Sequence, residues 1–445
     1  MTARVPSGAT TGPITVTTPD GSATSTDSFD AIPIEHVVVI YQENHSFDNV
    51  LGAWCEKNHR CDGVTSGKTS TGREVKLGTS PDVAPTVAHS HAAQLTAIDG
   101  GKMDGFDRIR GCKPPKYPCY VQYQPPQIPN LIAYADAYAL SDATFEDDTH
   151  MSFGSHLDLL AATADGFTGN NPQRTNFGKG PGWGCDSFRD AQYYFQSKTI
   201  LVPACVPDQA GNGPYRSSPV SYVPTILTRL ESAGISFGLY LGPGNTAGGD
   251  GYNWAPCPYF YECLGGSQAD RWHPASQILT DASNGTLPAV SFVTPTGPNS
   301  QHNGNSMAQG DNWIGSIVSA IQRNEDLWRS TAIFITYDDC GCFYDHVPPP
   351  SGRGIRVPMV IVSPYARAEF TDHNPARFDS MLAYIEHTFG LQSLGQGDAD
   401  AYDYADAFDY GQIPLGGVRA VRTPIPRWEM RWIAAHPQSQ EDGIT

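Results

Sequence analysis

Short apolar runs that alternate with helical segments constrain the fold of this chain most. Five runs rich in β-branched residues have the length of buried strands: 36–41, 235–241, 289–294, 332–337 and 358–363. Helical periodicity occurs at 154–163, 223–233, 312–323 and 377–390. This alternation predicts an α/β protein around a mostly parallel sheet, because parallel strands need crossover helices to connect them.

Composition narrows the classes of function. The chain has 445 residues, with 28 Lys and Arg against 46 Asp and Glu, so its formal net charge is −18. This excess of acidic residues argues against a nucleic-acid-binding surface and predicts a soluble protein that resists self-association, although it leaves the oligomeric state open. Because the sequence has no apolar run of about 18 residues, we expect no transmembrane helix.

Ten cysteines fall mostly into local pairs. The pairs are Cys55/Cys61, Cys112/Cys119, Cys185/Cys205 and Cys257/Cys263, which leaves Cys340 and Cys342 in the stretch DDCGCFYD. An even number of locally paired cysteines predicts disulfides formed in an oxidising compartment. Zinc thiolates are the alternative, although no spacing matches a CxxC…CxxC set. A bond between Cys340 and Cys342 is the least expected, since its ring would be tight.

The Ser/Thr-rich residues 1–32 predict a flexible tail. Residues 33–445 predict a single domain, in which 165–220 and 242–285 form disulfide-stapled excursions over one face. The tail has no apolar core and is therefore not a signal peptide. With the disulfides in mind, we expect a secreted or periplasmic protein whose export signal is not in this sequence.

Polar side chains follow two of the predicted strands. Glu43 and Asn44 come directly after the first run, and Asp338 and Asp339 come directly after 332–337. Ligands bind at the carboxyl ends of strands in open α/β sheets. Neighbouring buried carboxylates need a cation, and oxygen ligands suit a hard or borderline divalent ion. Helix capping by the aspartates and a turn at Asn44 are the alternative, but two such strand ends favour a metal site.

A metal-activated reaction needs a nucleophile, and Ser152 lies just ahead of the helix predicted at 154–163. The N-terminus of a helix is a ready phosphate site, and a serine that touches a metal there could attack phosphorus. From local sequence alone, however, a serine before a helix is normally an N-cap. Ser155 also competes for either role.

Histidines supply further candidates. His302 and His346 each follow a predicted strand, so both are expected at the same sheet edge as Glu43. Imidazoles there could bind phosphoryl oxygens and protonate a leaving alcohol. The alternative is that each histidine has only a structural role.

Five ordered motifs resemble the bacterial phospholipase C and acid phosphatase family of phosphoesterases. They are QENHSFDNVLG, HSHAA with GGKMDGF, YADAYALSDATFEDDTHMSFGSHLDLLA, TYDDCGCFYDHVPPP and IRVPMVIVSPYAR, and the resemblance covers roughly residues 33–412 in the family's order. The resemblance implies a three-layer α/β sandwich similar to alkaline phosphatase, with disulfide-stapled loop insertions.

The resemblance also implies one divalent metal ion (Ca, Zn, Mn or Fe). Carried over onto this sequence, its ligands are Glu43, Asn44, Asp338, Asp339 and the hydroxyl of Ser152, and the active-site histidines are His89, His302 and His346. The stretch MSFGSH is closer to the PSFPAH pattern of acid phosphatases than to the Thr-containing PTNPNR of the phospholipase branch. Met151 and Asn303 stand where the family usually has proline, and neither departure removes a ligand.

The predicted function is hydrolysis of phosphate esters by a metal-dependent phosphoesterase, through a phosphoseryl intermediate on Ser152. The nucleophile motif favours an acid-phosphatase-like phosphomonoesterase. One alternative is a phospholipase C, whose aromatic loop CPYFYEC could touch lipid headgroups in a transient contact with a membrane surface. The other is a non-catalytic binding protein on the same scaffold. The expected partner is a phosphate-ester substrate, either a small molecule or a phospholipid headgroup.

Overall fold

The computed structural model describes residues 12–29 and 32–436, and an eight-stranded sheet lies at its centre. Its strands in chain order are β1 (His36–Gln42), β2 (Ala139–Ser141), β3 (Phe237–Leu241), β4 (Trp272–His273), β5 (Val290–Thr294), β6 (Thr331–Tyr337), β7 (Met359–Val362) and β8 (Phe370–Asp372). Their spatial order is β4-β3-β5-β1-β6-β7-β2-β8. The strands predicted from the five apolar runs are all present.

The sheet is mostly parallel, as predicted. Only β7 runs against its neighbours β6 and β2. The central strands β1 and β6 are buried along almost their whole length, because helices cover both faces of the sheet. The strands β2, β4 and β8 have only two or three residues each, which is too short for a sequence pattern to reveal them.

Helices form two outer layers. The described residues contain α1 (Ala53–Asn58), α2 (His91–Ile98), α3 (Pro129–Ala137), α4 (Ser152–Ala161), α5 (Ile226–Ala233), α6 (Tyr261–Gly265), α7 (Gln277–Asn284), α8 (Met307–Arg323), α9 (Glu325–Trp328), α10 (Phe378–Phe389) and α11 (Arg427–Ala435). α8 packs against α3 and α7, whereas α4 packs against α5 and α10. The three-layer α/β sandwich and the four predicted helices are confirmed. α8 starts earlier than predicted, since the Ser306 side chain caps it by accepting from the Gln309 N–H at 3.0 Å.

Small sheets decorate this core. Pairs of short strands are Gly12–Thr18 with Gly21–Phe29, Ser66–Lys68 with Glu74–Lys76, Gly78–Thr79 with Val121–Gln122, and Thr144–Phe145 with Ala376–Arg377. The first pair is an exposed antiparallel hairpin within the predicted tail. Residues 1–11 and 30–31 of that tail lie outside the described residues, and the division into tail and single domain stays a prediction.

The two predicted excursions contact each other. Residues 165–220 contain a three-stranded antiparallel sheet of Gln173–Arg174, Arg189–Phe195 and Lys198–Pro203. The Cys185 N–H donates to the Pro258 carbonyl at 2.7 Å, and the Val206 N–H donates to the Tyr259 carbonyl at 2.8 Å. These backbone bonds join the excursions into one layer of irregular structure.

Four disulfides are present in the described part of the chain. They are Cys55–Cys61, Cys112–Cys119, Cys185–Cys205 and Cys257–Cys263, as the local pairing predicted. Cys340 and Cys342 are buried free thiols whose sulfur atoms lie 3.6 Å apart. In the same residues, no helix is long and apolar enough to cross a membrane.

Candidate active site

Adjacent parallel strands deliver the acidic residues to one point. β1 and β6 pair in register up to Tyr337 opposite Gln42. Beyond that pair, the Asp338 N–H donates to the Gln42 carbonyl at 2.9 Å. Glu43 and Asp338 are therefore neighbours, as expected for the carboxyl ends of two adjacent parallel strands.

Asn44 joins the two strand ends. Its backbone is left-handed, with φ 61°, a conformation that asparagine tolerates better than most residues. The Asn44 N–H donates to Asp338 Oδ1 at 2.8 Å, and its side-chain Nδ2 donates to Asp339 Oδ2 at 3.0 Å. The turn therefore fixes both aspartates relative to β1.

Helix α4 brings a serine and a histidine to the same cluster. Ser152 is the first residue of α4, and its Oγ donates to Glu43 Oε2 at 3.1 Å. His156 Nε2 lies 3.2 Å from Glu43 Oε1 and 3.8 Å from Asp338 Oδ2. Residues four apart share one face of a helix, so both side chains point from α4 towards the sheet edge.

The first turn of α4 shows which residue is the N-cap and which serine hydroxyl contacts the carboxylates. Met151, and not Ser152, occupies the N-cap position, and its side chain makes no capping hydrogen bond. The competing Ser155 hydroxyl is buried and has no hydrogen-bond partner within the described part of the chain. Ser152 is thus the hydroxyl that contacts the carboxylates.

Burial controls the charge of this cluster. Burial raises the pKa of Glu43 to about 8. Burial, reinforced by Glu43 and Asp339, raises the pKa of Asp338 well above its usual range, and burial also raises the pKa of Asp339. Among residues 12–29 and 32–436, no Lys or Arg forms a salt bridge with these carboxylates; the partner is His156. Burial lowers the pKa of His156 to about 4, so this ring is neutral.

The cluster fits a divalent metal ion. Ligand atoms of Glu43, His156 and Asp338 lie within 4.8 Å of one another. Asp338 Oδ2 and Asn44 Oδ1 are buried without a hydrogen-bond partner in the described residues. Unpaired buried oxygens are costly, and a cation would satisfy them. Oxygen donors with one imidazole suit a hard or borderline ion.

Two predicted histidines lie together beside this cluster. The rings of His89 and His302 are 6.0 Å apart, and attraction to His89 lowers the pKa of Asp339 against the effect of burial. His89 Nδ1 lies 3.0 Å from the Val87 carbonyl, and His302 Nδ1 lies 3.0 Å from its neighbour's carbonyl. A carbonyl only accepts, so each Nδ1 carries the proton. Burial, followed by the charge of His89, lowers the pKa of His302 to about 3.

The third predicted histidine lies in a different cluster. His346 Nδ1 is 2.6 Å from Asp48 Oδ2, and its Nε2 is 3.0 Å from Asp62 Oδ1. Burial opposes protonation, but the hydrogen bond and the charge of Asp48 raise the pKa of His346 to about 9. The buried Arg356 guanidinium contacts Asp48 and Asp345 at 3.5 and 3.2 Å. The sequence predicted that His346 lies beside the carboxylates of the candidate metal site. The structure places it in this other cluster, so its catalytic role stays a prediction that no contact supports.

Three residues enter the site that the sequence did not indicate. His156 is one, although its place one helical turn after Ser152 in MSFGSH was a readable signal. Glu146 accepts from the Cys340 N–H at 2.8 Å, and its other oxygen is buried without a partner among the described atoms. Trp254 stacks on His302 with centroids 5.8 Å apart. Glu146 and Trp254 lie in irregular segments, whose spatial position no periodicity reveals.

Comparison with known proteins identifies the class. The model of the phosphoesterase family matches residues 34–392, so the chain belongs to this family. The non-hemolytic phospholipase C of Burkholderia pseudomallei (strain K96243) is 24% identical over 431 residues, which cover 80% of this chain and 55% of that protein. Non-specific phospholipase C4 of Arabidopsis thaliana is 24% identical over 398 residues, which cover 77% of this chain and 64% of that protein. The chain thus spans less than two thirds of the length of these curated relatives.

A solved structure shows a weaker likeness. A protein in the alkaline phosphatase superfamily from Vibrio parahaemolyticus aligns with a TM-score of 0.39 at 11% sequence identity. The alignment covers 82% of this chain and 70% of that one.

Proposed function

We propose that the protein is a metal-dependent phosphoesterase that hydrolyses phosphate esters through a phosphoseryl intermediate on Ser152. One observation carries the proposal. The Ser152 hydroxyl lies 3.1 Å from Glu43 at the start of α4, inside a buried carboxylate cluster that fits a divalent ion. A hydroxyl, a helix N-terminus and a cation site in one place suit attack on phosphorus.

The proposed reaction has two steps at phosphorus. The Ser152 hydroxyl, which donates to Glu43 Oε2, gives up its proton as the Oγ–P bond forms and the bond from phosphorus to the leaving oxygen breaks, and the leaving alcohol takes up one proton in exchange. Water then attacks phosphorus, the Oγ–P bond breaks, and one proton of that water returns to Ser152 Oγ. Phosphate leaves when the substrate is a monoester, and a phosphomonoester leaves when it is a diester. When bound, a divalent ion would lower the pKa of the serine hydroxyl and withdraw charge from the phosphoryl oxygens. We propose that Glu43, Asn44, Asp338 and Asp339 hold this ion, with His156 as a further candidate ligand.

The protein's own groups orient the phosphate. Free N–H groups in the first turn of α4 favour an anion beside Ser152. His302 carries its proton on Nδ1, so its Nε2 has a lone pair for a water or a leaving-group hydroxyl. His89 Nε2 is buried without a hydrogen-bond partner in the described residues, and its ring lies 6.0 Å from that of His302. With its pKa lowered to about 3, His302 is neutral at ordinary pH. We therefore assign His302 to hydrogen bonding with water or substrate rather than to storing a proton.

The substrate class has two versions. The serine in MSFGSH favours a phosphomonoester, whereas both relatives described above are named as phospholipases C, which favours a phosphodiester of a phospholipid. Side-by-side hydrolysis of p-nitrophenyl phosphate and p-nitrophenylphosphorylcholine separates the two. Faster hydrolysis of the first ester would indicate a phosphomonoesterase, and faster hydrolysis of the second would indicate a phospholipase C.

The decisive variant is Ser152→Ala, with Ser155→Ala as its matched control on the same helix. We expect Ser152→Ala to lose about a thousandfold or more of turnover on the preferred substrate, because no attacking oxygen remains. Ser155→Ala keeps its activity, since the Ser155 hydroxyl contacts no partner in the described residues. Equal activity of Ser152→Ala and the wild type would contradict the mechanism. A protein that holds no metal and cleaves neither ester would instead support the non-catalytic binding alternative.

We also propose a secreted or periplasmic location. Four disulfides support it, because such bonds persist in oxidising compartments. Cell fractionation of the source organism tests this directly, and a cytosolic pool with reduced cysteines would contradict it.

A further inference from the structure

An exposed surface of aromatic and basic residues lies on α11 and the segment before it. Trp428 and Trp432 expose 63% and 42% of their surface, and they lie one helical turn apart. Arg427 and Arg431 are exposed beside them, at the same spacing. Exposed tryptophans are uncommon in a folded protein, and two on one helix face form a patch that water solvates poorly.

The charge of this segment is opposite to that of the whole chain. Residues 411–436 contain four exposed arginines, Arg419, Arg422, Arg427 and Arg431. Within the described ranges none of them forms a salt bridge. The segment's only acidic residue, Glu429, is buried. A chain with a net charge of −18 thus presents a basic and aromatic face on this segment. We call Arg419, Arg422, Arg427, Trp428, Arg431 and Trp432 the basic–aromatic surface.

Specific contacts hold this surface in place. Asn130 exchanges two hydrogen bonds with the backbone of Val421, at 2.7 and 2.8 Å, and Asn312 exchanges two with Thr423, both at 2.8 Å. On the inner side of α11, Glu429 faces Asp82. The surface is therefore presented by the body of the protein, through α3 and α8.

The basic–aromatic surface adjoins the loops that carry the active-site histidines. Trp428 and Trp432 line a pocket of about 360 Å³ together with residues 81–86 and Gly304. Val87, the next residue of the first loop, accepts hydrogen bonds from His89 and from Asn303. Gly304 follows in the second loop. A planar partner that covers this surface would lie beside the loops of His89 and His302.

We propose that the basic–aromatic surface docks the protein on an anionic phospholipid bilayer. Arginine guanidinium groups are attracted to the negative potential of anionic headgroups, and tryptophan rings prefer the boundary between headgroups and acyl chains. A helix with both residue types on its outer face lies in the plane of that boundary. The aromatic loop CPYFYEC does not serve this purpose, because Pro258, Tyr259 and Phe260 are buried. The inference goes beyond the proposed function, since docking needs no hydrolysis.

Co-sedimentation with vesicles tests the proposal. The full chain, in the Ser152→Ala background so that no lipid is consumed, is mixed with vesicles of phosphatidylcholine containing about one third phosphatidylglycerol. We expect binding that falls with added salt and is at least about tenfold weaker on pure phosphatidylcholine. Arg427→Glu/Arg431→Glu and Trp428→Ala/Trp432→Ala should each weaken binding by about tenfold or more, with an unchanged circular dichroism spectrum.

The hairpin tip of the 165–220 excursion provides the matched control. Tyr194 and Phe195 are exposed by 60% and 38%, so Tyr194→Ala/Phe195→Ala removes comparable aromatic area elsewhere. We expect this variant to bind vesicles like its parent. Equal binding to neutral and anionic vesicles, or loss in the Tyr194/Phe195 variant alone, would overturn the proposal. A dimer that the Trp428/Trp432 variant dissociates, without any vesicle binding, would show a protein contact instead and would also overturn it.

Discussion

Two buried acidic clusters follow the same pair of strands, and their surroundings differ in one respect. Glu43, Asp338 and Asp339 come directly after β1 and β6, and no Lys or Arg in the described residues forms a salt bridge with them. Asp48 and Asp345 lie a few residues further along the same loops, against the fully buried Arg356. Three buried carboxylates without a Lys or Arg partner favour an ion from outside, whereas the second cluster contains its own cationic side chains.

This contrast separates a candidate functional site from a structural one. Asp48, Asp345 and His346 also have the geometry of a possible metal site. The guanidinium of Arg356, which lies over Phe47 with its carbon 4.2 Å from the ring centroid, and the protonated His346 together balance the charges of Asp48 and Asp345. Whether a cationic side chain lies beside a carboxylate cluster therefore says more about its suitability as a metal site than the number of its carboxylates does.

The largest expected effect is that of Asp338→Asn. Removing this carboxylate should lower the bound metal to near the background level and reduce turnover by about a thousandfold. The metal-free fold should persist, because the change relieves repulsion from Glu43 and Asp339. Metal content by elemental analysis and turnover on the preferred ester check both parts. Asp345→Asn is the matched control and should keep its metal; full metal content in Asp338→Asn would contradict the ligand assignment.

Arg356→Met tests the other cluster. Asp48 and Asp345 would remain buried without their cation, so we expect the free energy of unfolding to fall by about 3–5 kcal/mol. Denaturant unfolding measures the loss. Arg356→Lys retains the charge and should lose less, and Arg356→Met/Asp345→Asn should recover part of the loss. An Arg356→Met protein as stable as the wild type would remove the structural role of this cluster.

The metal affinity should depend on pH. The pKa of Glu43 is raised to about 8 in the metal-free protein, so below pH 8 a metal ion must displace a proton. We expect the affinity to fall by at least about tenfold for each pH unit below 8, because the raised pKa values of Asp338 and Asp339 add further protons for the metal ion to displace. Titration calorimetry in buffers of different ionisation enthalpy measures both the affinity and the released protons. A metal affinity that does not change between pH 6 and pH 8 would show that the metal ion displaces no proton from Glu43.

The smallest effect is expected for His346→Gln. The folded pKa of about 9 is above the ordinary value of 6.5. The stabilisation from protonated His346 is thus complete below pH 6.5 and is lost as the pH rises through 9. We expect the variant to be about 1–2 kcal/mol less stable at pH 6 and to approach the wild type near pH 10. A constant difference across this range would contradict the ion pair with Asp48.

Much of the candidate site could be predicted from the residues that follow two strands in the sequence. Glu43 and Asp338 could be paired from the sequence because two apolar runs end in acidic residues and adjacent parallel strands share an edge. His346 satisfies the same rule but contacts Asp48 and Asp62, since an irregular loop of several residues separates it from β6. The position of a residue after a strand therefore predicts the contacts of the first two residues. For residues further along the loop, this prediction becomes weaker.

Tertiary packing decided the remaining features. His156 reaches Glu43 only because α4 lies across the sheet edge, and no periodicity shows where a helix docks. The antiparallel direction of β7 was equally hidden, because a buried apolar run looks the same in both directions. The free thiols of Cys340 and Cys342 agree with the expectation that a ring between them would be tight.

The proposed nucleophile and the carboxylates of the candidate metal site come from different layers of the sandwich. Ser152 and His156 are carried by α4, whereas Glu43 and Asp338 are carried by the sheet. The Tyr41 and His156 rings, with centroids 4.9 Å apart, form part of the seam between the two layers. If Ser152 attacks phosphorus as proposed, its side chain could be exchanged on the helix while the carboxylates on the sheet keep their positions. Apolar substitutions in the same seam would then change the distance between the serine and the carboxylates without altering either group.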